Sequence, residues 1–326
     1  MRLSIIIPTY NTNITDIFGL LSSIRTQLAV DWTQVETIIV NDAGEPMPGT
    51  LFGCFAPLKI RQISLADNGG PGVARQAGID AAEGEYLMFA DADDVLHNVG
   101  VLAAVLGEIT EAGQPDILVT KWLEEVRTDD GRMVYTTHNT DWTWMHGKVI
   151  RAEFARQTGV RHHPDLRIHE DSYYLNCLSA HSPRVQESDT ISYVWRWHDE
   201  SITRRDGGVY TYQSVPTFLR AVGLADAYIE GVNRESMPER IAYRLCYIYH
   251  LTHSDGWIER PEYRRAAEEA LVREIAPYMH WYDDCPEDQR RAVYAQTMQF
   301  AGGAIPDVSL NTWLEWIGLK GGEHEL

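Results

Sequence analysis

The chain lacks any apolar run long enough to cross a bilayer. Its longest candidate, Val99 to Gly107, falls far short of the roughly 20 residues that a spanning helix needs. At the start, Leu3-Ser4-Ile5-Ile6-Ile7 is cut short by Pro8 and Asn11, too brief an apolar stretch for a signal peptide. A cytoplasmic protein without integral membrane contact is therefore expected. Cysteine is scarce: Cys54, Cys177, Cys246 and Cys285 form no CxxC pair and no zinc-like spacing, and read as reduced, mostly structural thiols. Basic residues are outnumbered, 28 Lys and Arg against 47 Asp and Glu, for a net charge of −19. That deficit disfavours a protein whose affinity comes mainly from polyanion contacts. Residues 1–150 carry 9 basic against 20 acidic side chains and the remainder 19 against 27, so no charged tail names a partner. Internal repeats and low-complexity linkers are also absent.

What is present describes a globular chain. Of 326 residues, 44% are hydrophobic and 10% aromatic, with mean hydropathy −0.29. This composition excludes a disordered or collagenous chain and leaves room for one large domain or a domain plus an appendage. The first part alternates strand and helix signals. Buried strands are expected at Leu3–Pro8, Val35–Val40, Ile60–Leu65, Tyr86–Ala90 and Asp116–Thr120. Helices are expected at Ile14–Leu28, with Ile17, Leu20, Leu21, Ile24 and Leu28 on one face, at Pro71–Ala82 and at Val99–Thr110. Strands separated by helices mean a mostly parallel α/β sheet. Asp129-Asp130-Gly131 predicts a hairpin between Trp122–Val126 and Met133–Thr137, and Tyr193–Trp197 reads as a further short strand. After about Gly207 only helical windows remain, near 210–230, 237–252, 262–279 and 287–300. The expected boundary is Asp206-Gly207-Gly208, giving an α/β domain over 1–206 and a helical region over 207–326.

Parallel sheets bind ligands at the carboxyl ends of their strands. Four strand ends here carry a coherent set: Pro8-Thr9-Tyr10-Asn11, Asn41-Asp42, Asp67-Asn68-Gly69-Gly70-Pro71-Gly72 and Asp91-Ala92-Asp93-Asp94. Asp91 and Asp93, two apart in an extended segment, project to one side, and paired carboxylates suit Mg²⁺ or Mn²⁺. An isolated DxD is more often a solvated acidic turn; its position after an apolar strand favours metal binding here. Asn68 to Arg75 is a glycine-rich turn opening a helix, where free N–H groups favour an anion that Arg75 could reach. It matches neither GxGxxG nor GxxxxGK[ST]. Asp42 could accept a base N–H while Tyr10 stacks on the ring, or could simply form a turn. Glu170-Asp171 offers a general base for a hydroxyl nucleophile, or the acidic first turn of a helix carrying Tyr174, Leu175 and Leu178. His198, after Trp195-Arg196-Trp197, could complete a metal site.

Taken in order, these motifs resemble family 2 glycosyltransferases of the GT-A fold. The matching segments are Ser4-Ile5-Ile6-Ile7-Pro8-Thr9-Tyr10-Asn11, Ile39-Val40-Asn41-Asp42, Asn68 to Arg75, Asp91 to Asp94 and Glu170-Asp171, closed by Ser201-Ile202-Thr203-Arg204. The resemblance spans roughly residues 1–205. It implies a Rossmann-like sheet flanked by helices and inverting transfer from a nucleotide sugar, usually a UDP-sugar, with Mn²⁺ or Mg²⁺ as cofactor. Pro8, Thr9, Tyr10, Asn11, Asp42, Asn68, Gly69, Arg75, Asp91 and Ala92 would then line the nucleotide site, with Arg75 toward the diphosphate or base rim. Asp93, with His198, would ligate the metal; Asp171 would be the base and Glu170 its support. Lys148, Trp195, Trp197 and Arg204 are candidate acceptor or donor contacts. Gln76 departs from the Asn usual in the family after Arg75.

Family habit points to a saccharide or glycoconjugate acceptor. The same chemistry on a modified nucleic-acid base or a protein side chain is an alternative, and net acidity disfavours the nucleic acid. A nucleotidyltransferase lacks support, because no glycine-rich Lys/Arg loop follows the first strand. A non-catalytic nucleotide-sugar or glycan-binding module is the reading from another class. Trp142 with Trp144, and Trp195 with Trp197, are spaced to share one side of a strand, more for core packing than for sugar stacking. Arg240, Tyr243, Arg244 and Tyr247 lie at helical spacing, a solvated face plus core or else an acceptor or homo-oligomer surface.

Overall fold

The computed structural model of the chain describes residues 2–128, 130–139, 142–199, 201, 204, 209–300 and 306–320. The chain falls into two compact units, Met1–His198 and Asp199–Leu326. The boundary expected at Asp206-Gly207-Gly208 lies outside the described residues, as do Ile202, Thr203 and the hairpin residue Asp129.

In the first unit, β1 (Leu3–Thr9) is buried at six of its seven residues and has a parallel neighbour on each side. A strand enclosed this way needs apolar side chains on both faces, which is why it reads as a continuous apolar run. α1 (Ile14–Arg25) starts at Asn13, whose Oδ1 accepts the Thr15 N–H at 3.0 Å, and buries Ile17, Leu20, Leu21 and Ile24. It ends sooner than expected: Thr26 donates its N–H back to the helix carbonyls, and Leu28 is left 63% exposed. β2 (Val35–Asn41) is wholly buried, α2 (Gly49–Gly53) is one short turn, and β3 (Lys59–Ser64) follows. β3 is an edge strand with its end residues exposed, not the buried strand its composition suggested.

α3 (Pro71–Ala81) carries Pro71 at its first position. β4 (Tyr86–Phe89), the two-residue β5 (Val95–Leu96) and α4 (Val101–Glu111) lead into β6 (Ile117–Arg127), which runs well beyond the expected Thr120. β7 (Met133–His138) pairs antiparallel with β6, as the hairpin signal required. β8 (Lys148–Arg151), α5 (Ala152–Thr158), α6 (Glu170–Ser179) and β9 (Val185–Trp195) complete the unit. The strand order is β3-β2-β1-β4-β8-β6-β9-β5, with β7 beside β6. Pairing is parallel from β3 through β4; β8 then runs antiparallel to both β4 and β6, so the second half of the sheet is mixed.

Alternation along β1 divides the core. Leu3, Ile5 and Ile7 join α1 and α4 side chains in one apolar cluster. Ile6 faces α3, where a Cβ on Gly78 would stand 2.3 Å from its Cγ2.

The second unit is helical: α7 (Tyr210–Gln213), α8 (Val215–Val232), α9 (Met237–Thr252), α10 (Asp255–Ile258), α11 (Pro261–Ile275), α12 (Met279–Asp284), α13 (Glu287–Phe300) and α14 (Leu310–Trp316). The expected solvated face on α9 is only partly so. Arg244 is buried and bonded to the fully buried Asp226, Arg240 Nε lies 3.6 Å from the same carboxylate, and Tyr243 stacks on Tyr247. Among the described residues no helix is long and apolar enough to cross a membrane.

The contact at Gly78 is testable. Gly78→Ala should lower unfolding stability by about 1–3 kcal/mol through overpacking against Ile6. Gly107→Ala, on α4 with nothing within 4 Å of its Cβ, should instead stabilise, by about 0.5–1 kcal/mol through backbone entropy. Chemical denaturation of both variants checks the pair of signs.

Candidate active site

The carboxyl ends of β1, β2, β3 and β4 lie side by side. At the first, Tyr10 is 55% exposed and Asn11 holds a left-handed backbone, its Oδ1 accepting the Glu45 N–H at 3.2 Å. Pro8 and Thr9 are held in the β1–β2 ladder, and Thr9 Oγ1 donates to Val40 O at 3.3 Å. Asp42, 3% exposed, accepts the N–H groups of Gly69 and Gly70 at 2.8 and 2.7 Å. It therefore ties the end of β2 to the glycine loop; each oxygen keeps a second lone pair. Asn68 is engaged as well, donating to Asp42 O at 3.2 Å and accepting from Arg167 through Oδ1, while Arg167 Nη2 donates to Asn68 O at 2.8 Å.

The acidic turn after β4 spreads its three carboxylates. Asp91 is part-exposed; burial would raise its carboxyl, but the Arg75 guanidinium and the His146 ring hold it below the usual range. Asp94, 1% exposed, accepts from Tyr193 Oη and from Arg196 N at 2.8 Å. Burial, then the neighbouring Asp93 and Asp91, pushes its carboxyl well above the ordinary range. Tyr193 Oη also accepts the Asp91 N–H at 2.9 Å, so one phenol braces both ends of the turn. Asp93 is the open one, its side chain 47% exposed, and its carboxyl too is raised by burial and by Asp91. Ala92 is buried between them.

Two sets of donors suit a hard divalent cation. Asp91, Asp94 and His146 bring one ligand atom each within 4.8 Å of one another, with His146 Nε2 3.7 Å from Asp91 Oδ2. The expected pair, Asp93 and His198, is also brought together, with Nε2 4.0 Å from Asp93 Oδ2. That nitrogen lies 2.9 Å from Asp93 O, so with its proton there it donates to the main chain and leaves Nδ1 the lone pair.

Arg75 does not point outward. Its side chain is 7% exposed, with Nη1 on Glu170 Oε1 at 2.5 Å and Nη2 on Asp91 Oδ1 at 2.7 Å. Glu170 opens α6, 5% exposed, its carboxyl raised by burial against the opposing pull of Arg75. Asp171 follows, half-buried, with Oδ1 accepting the Ser172 N–H at 2.7 Å. Burial, then the Glu170 carboxylate, pushes its carboxyl up to about 7.

Beyond the acidic turn lies a ring cluster. Trp122 stacks on His138 at 3.9 Å and meets His146, Trp144 and Trp195, and Trp144 lies 5.3 Å from Trp195. Trp142 and Trp144 sit in the segment before β8, and β9 ends at Trp195 with Trp197 beyond it, so neither pair displays two rings along one strand as expected. Trp197 N donates to Glu125 Oε2 at 2.9 Å. Lys148 is 1% exposed within β8, and Arg204 belongs to the helical unit. His146, Tyr193 and Arg167 were not singled out by the sequence, and Asp94 was quoted with the acidic segment but given no role; only the β4-β8-β6-β9 pairing brings His146 and Tyr193 beside Asp91.

Residues 4–162 match the family description Glycosyl transferase family 2. The Staphylococcus aureus poly(ribitol-phosphate) beta-N-acetylglucosaminyltransferase TarS is 24% identical over 224 residues, covering 64% of this chain and 36% of TarS. The chain thus spans about a third of the length of that relative. The crystal structure of S. aureus TarS 1–349 in complex with UDP-GlcNAc superposes with a TM-score of 0.66 at 18% identity, over 92% of this chain and 90% of that one. The mannosyltransferase PcManGT from Pyrobaculum calidifontis, in complex with GDP-Man and Mn²⁺, gives 0.51 at 14% identity over 98% and 84%. The fold is the expected α/β GT-A arrangement, with a helical region following it.

Tyr193→Phe removes the donor to a buried carboxylate and the acceptor of the Asp91 N–H together. It should destabilise the protein by about 1–3 kcal/mol, read from urea unfolding.

Proposed function

From the match of residues 4–162 to glycosyl transferase family 2, we propose that the chain moves a sugar from a nucleotide-sugar donor, a UDP-sugar first, to an acceptor hydroxyl. The supporting observation is the convergence of two carboxylate groups, Asp91–Asp93 from the end of β4 and Glu170–Asp171 from the start of α6, about one guanidinium. One acidic group faces the donor side and the other offers a base. The UDP-GlcNAc complex of the TarS relative makes uridine the first nucleotide to try, and its name makes a saccharide or glycoconjugate the first acceptor class.

In this reading Tyr10 stacks on the base and Asp42 accepts its ring N–H with the lone pairs the glycine loop leaves. Asp93 with His198, beside Asp91 and His146, would hold Mn²⁺ or Mg²⁺, supplying positive charge next to the leaving diphosphate. Asp171 takes the acceptor proton as the acceptor oxygen bonds to the anomeric carbon. The bond from that carbon to the diphosphate breaks on the opposite side, the nucleoside diphosphate leaves with the electron pair, and the centre inverts. A carboxyl poised near 7 suits the step, because it can both exist as the base and bind the proton it takes. The Trp144 and Trp195 rings of the first unit are offered as acceptor contacts, and the helical unit by itself as an acceptor or self-association module.

Asp171→Asn should lower transfer by about 10²–10⁴-fold while leaving UDP affinity within about 2-fold, since a general base contributes on that scale. Wild-type kcat/KM should rise with pH through about 7 and level off above it, because Asp171 must lose its proton to act. Full transfer by Asp171→Asn would overturn the assignment. UDP binding with no transfer to any saccharide would move the protein to the binding-module class.

A further inference from the structure

We propose that Arg75 is a positioning residue and not a phosphate ligand: its buried fork ties α6, and with it Asp171, to the end of β4. The proposal rests on the transferase reading and says how its site is held together.

The sequence puts Arg75 one turn into α3, where a guanidinium could swing out to a diphosphate. The side chain instead turns inward, 7% exposed, with both terminal nitrogens on carboxylates at 2.5 and 2.7 Å. Its Nε is buried and makes no hydrogen bond among the described residues. Two of its five N–H donors are on carboxylates, and a side chain only 7% exposed presents little surface to a phosphate.

The seat for this contact is written into the same helix turn. A Cβ on Gly72 would stand 2.7 Å from Glu170 Cγ and 3.0 Å from Glu170 Cβ. Glycine there lets α6 come close enough for Arg75, three residues on, to reach Glu170. Among the described residues Asp171 has no such bond to Arg75, and its Oδ1 accepts the N–H of its own neighbour, Ser172. Its position is therefore set by where α6 begins, and α6 begins where Arg75 holds Glu170. Because the other arm of the fork is on Asp91, the donor-side carboxylate and the base share one strut. The charged and titratable groups around Arg75 are Asp91, Glu170 and Asp171, with His162, stacked on Tyr174, behind it. Burial, then the Arg75 cation, pushes His162 down to about 3, so it stays neutral and adds no competing charge.

The test uses the full chain, with Glu170→Gln, Gly72→Ala and Arg75→Lys each checked for folding by circular dichroism. Transfer is followed with a UDP-sugar, and UDP affinity is measured with Mn²⁺. A displacement of about 1 Å at the reacting centre is worth about 10²-fold in rate. Glu170→Gln and Gly72→Ala should therefore lower kcat by about that factor and leave the Kd for UDP within about 2-fold, a split that general destabilisation would not produce. Arg75→Lys keeps the charge and loses the fork, so it should lose kcat in the same way. If Arg75→Gln folds, the rising limb of its pH profile should move to higher pH, because the cation that favours ionised Asp171 is gone. Wild-type kcat in both Glu170→Gln and Gly72→Ala would overturn the proposal. So would an Arg75→Lys that loses UDP affinity at least 10-fold with kcat unchanged, which marks a phosphate ligand. Wild-type protein that transfers no sugar would count against the transferase reading itself, a different failure from either of these.

Discussion

One buried guanidinium carries the arrangement of the first unit's carboxyl edge. Arg75 comes from α3, Asp91 from the end of β4 and Glu170 from the start of α6, so three elements meet at a single planar group. Taking such charges out of water is costly, and only close, well-aligned bonds offset the cost. Removing one partner would leave a charge uncompensated in the interior, a loss on the order of 3–5 kcal/mol. The elements around it are shaped to permit the contact: Gly72 opens the space, and His169 takes a left-handed backbone just before α6.

The same edge carries more negative charge than Arg75 can balance. Asp93 and Asp94 remain after Asp91 and Glu170 have taken the two arms; burial and then Asp91 raise the Asp93 carboxyl, and burial, Asp93 and Asp91 raise that of Asp94. Asp94 is quieted by the Tyr193 phenol and the Arg196 N–H, which leaves Asp93 as the open oxygen donor beside His198. In the proposed reading this surplus would draw a divalent cation, which would offset the repulsion an incoming diphosphate meets there. The acidity of the whole chain, −19, is thus matched by acidity at the site. In the proposed reading a nucleotide sugar would approach with a metal ion or meet repulsion.

Much of this was legible in the residues. β1, β2 and β4 show themselves as apolar runs because both of their faces are covered, and α3 opens on Pro71 at its first position. The strand-end polar sets follow from those assignments. β8 was not legible: Lys148-Val149-Ile150-Arg151 is four residues with a charge at each end, and it becomes a strand by slotting between β4 and β6. With it come His146 and the ring cluster, which no local pattern announces. The direction of Arg75 was equally hidden. A guanidinium in the first turn of a helix can reach a phosphate or turn inward, and the choice is made by Glu170, 95 residues further on. Asp42 is another such case: its oxygens clamp the glycine loop some 27 residues on, a contact that neither of its sequence readings contained.

The central claim is that the strand-end carboxylates form a nucleotide-sugar site that works with a cation. Calorimetric titration with UDP, GDP and dTDP, each in Mn²⁺ and again in chelator, tests it most directly. The account predicts that one of the three binds and that chelation weakens it. A demonstrably folded protein that binds none of them in either condition would contradict it.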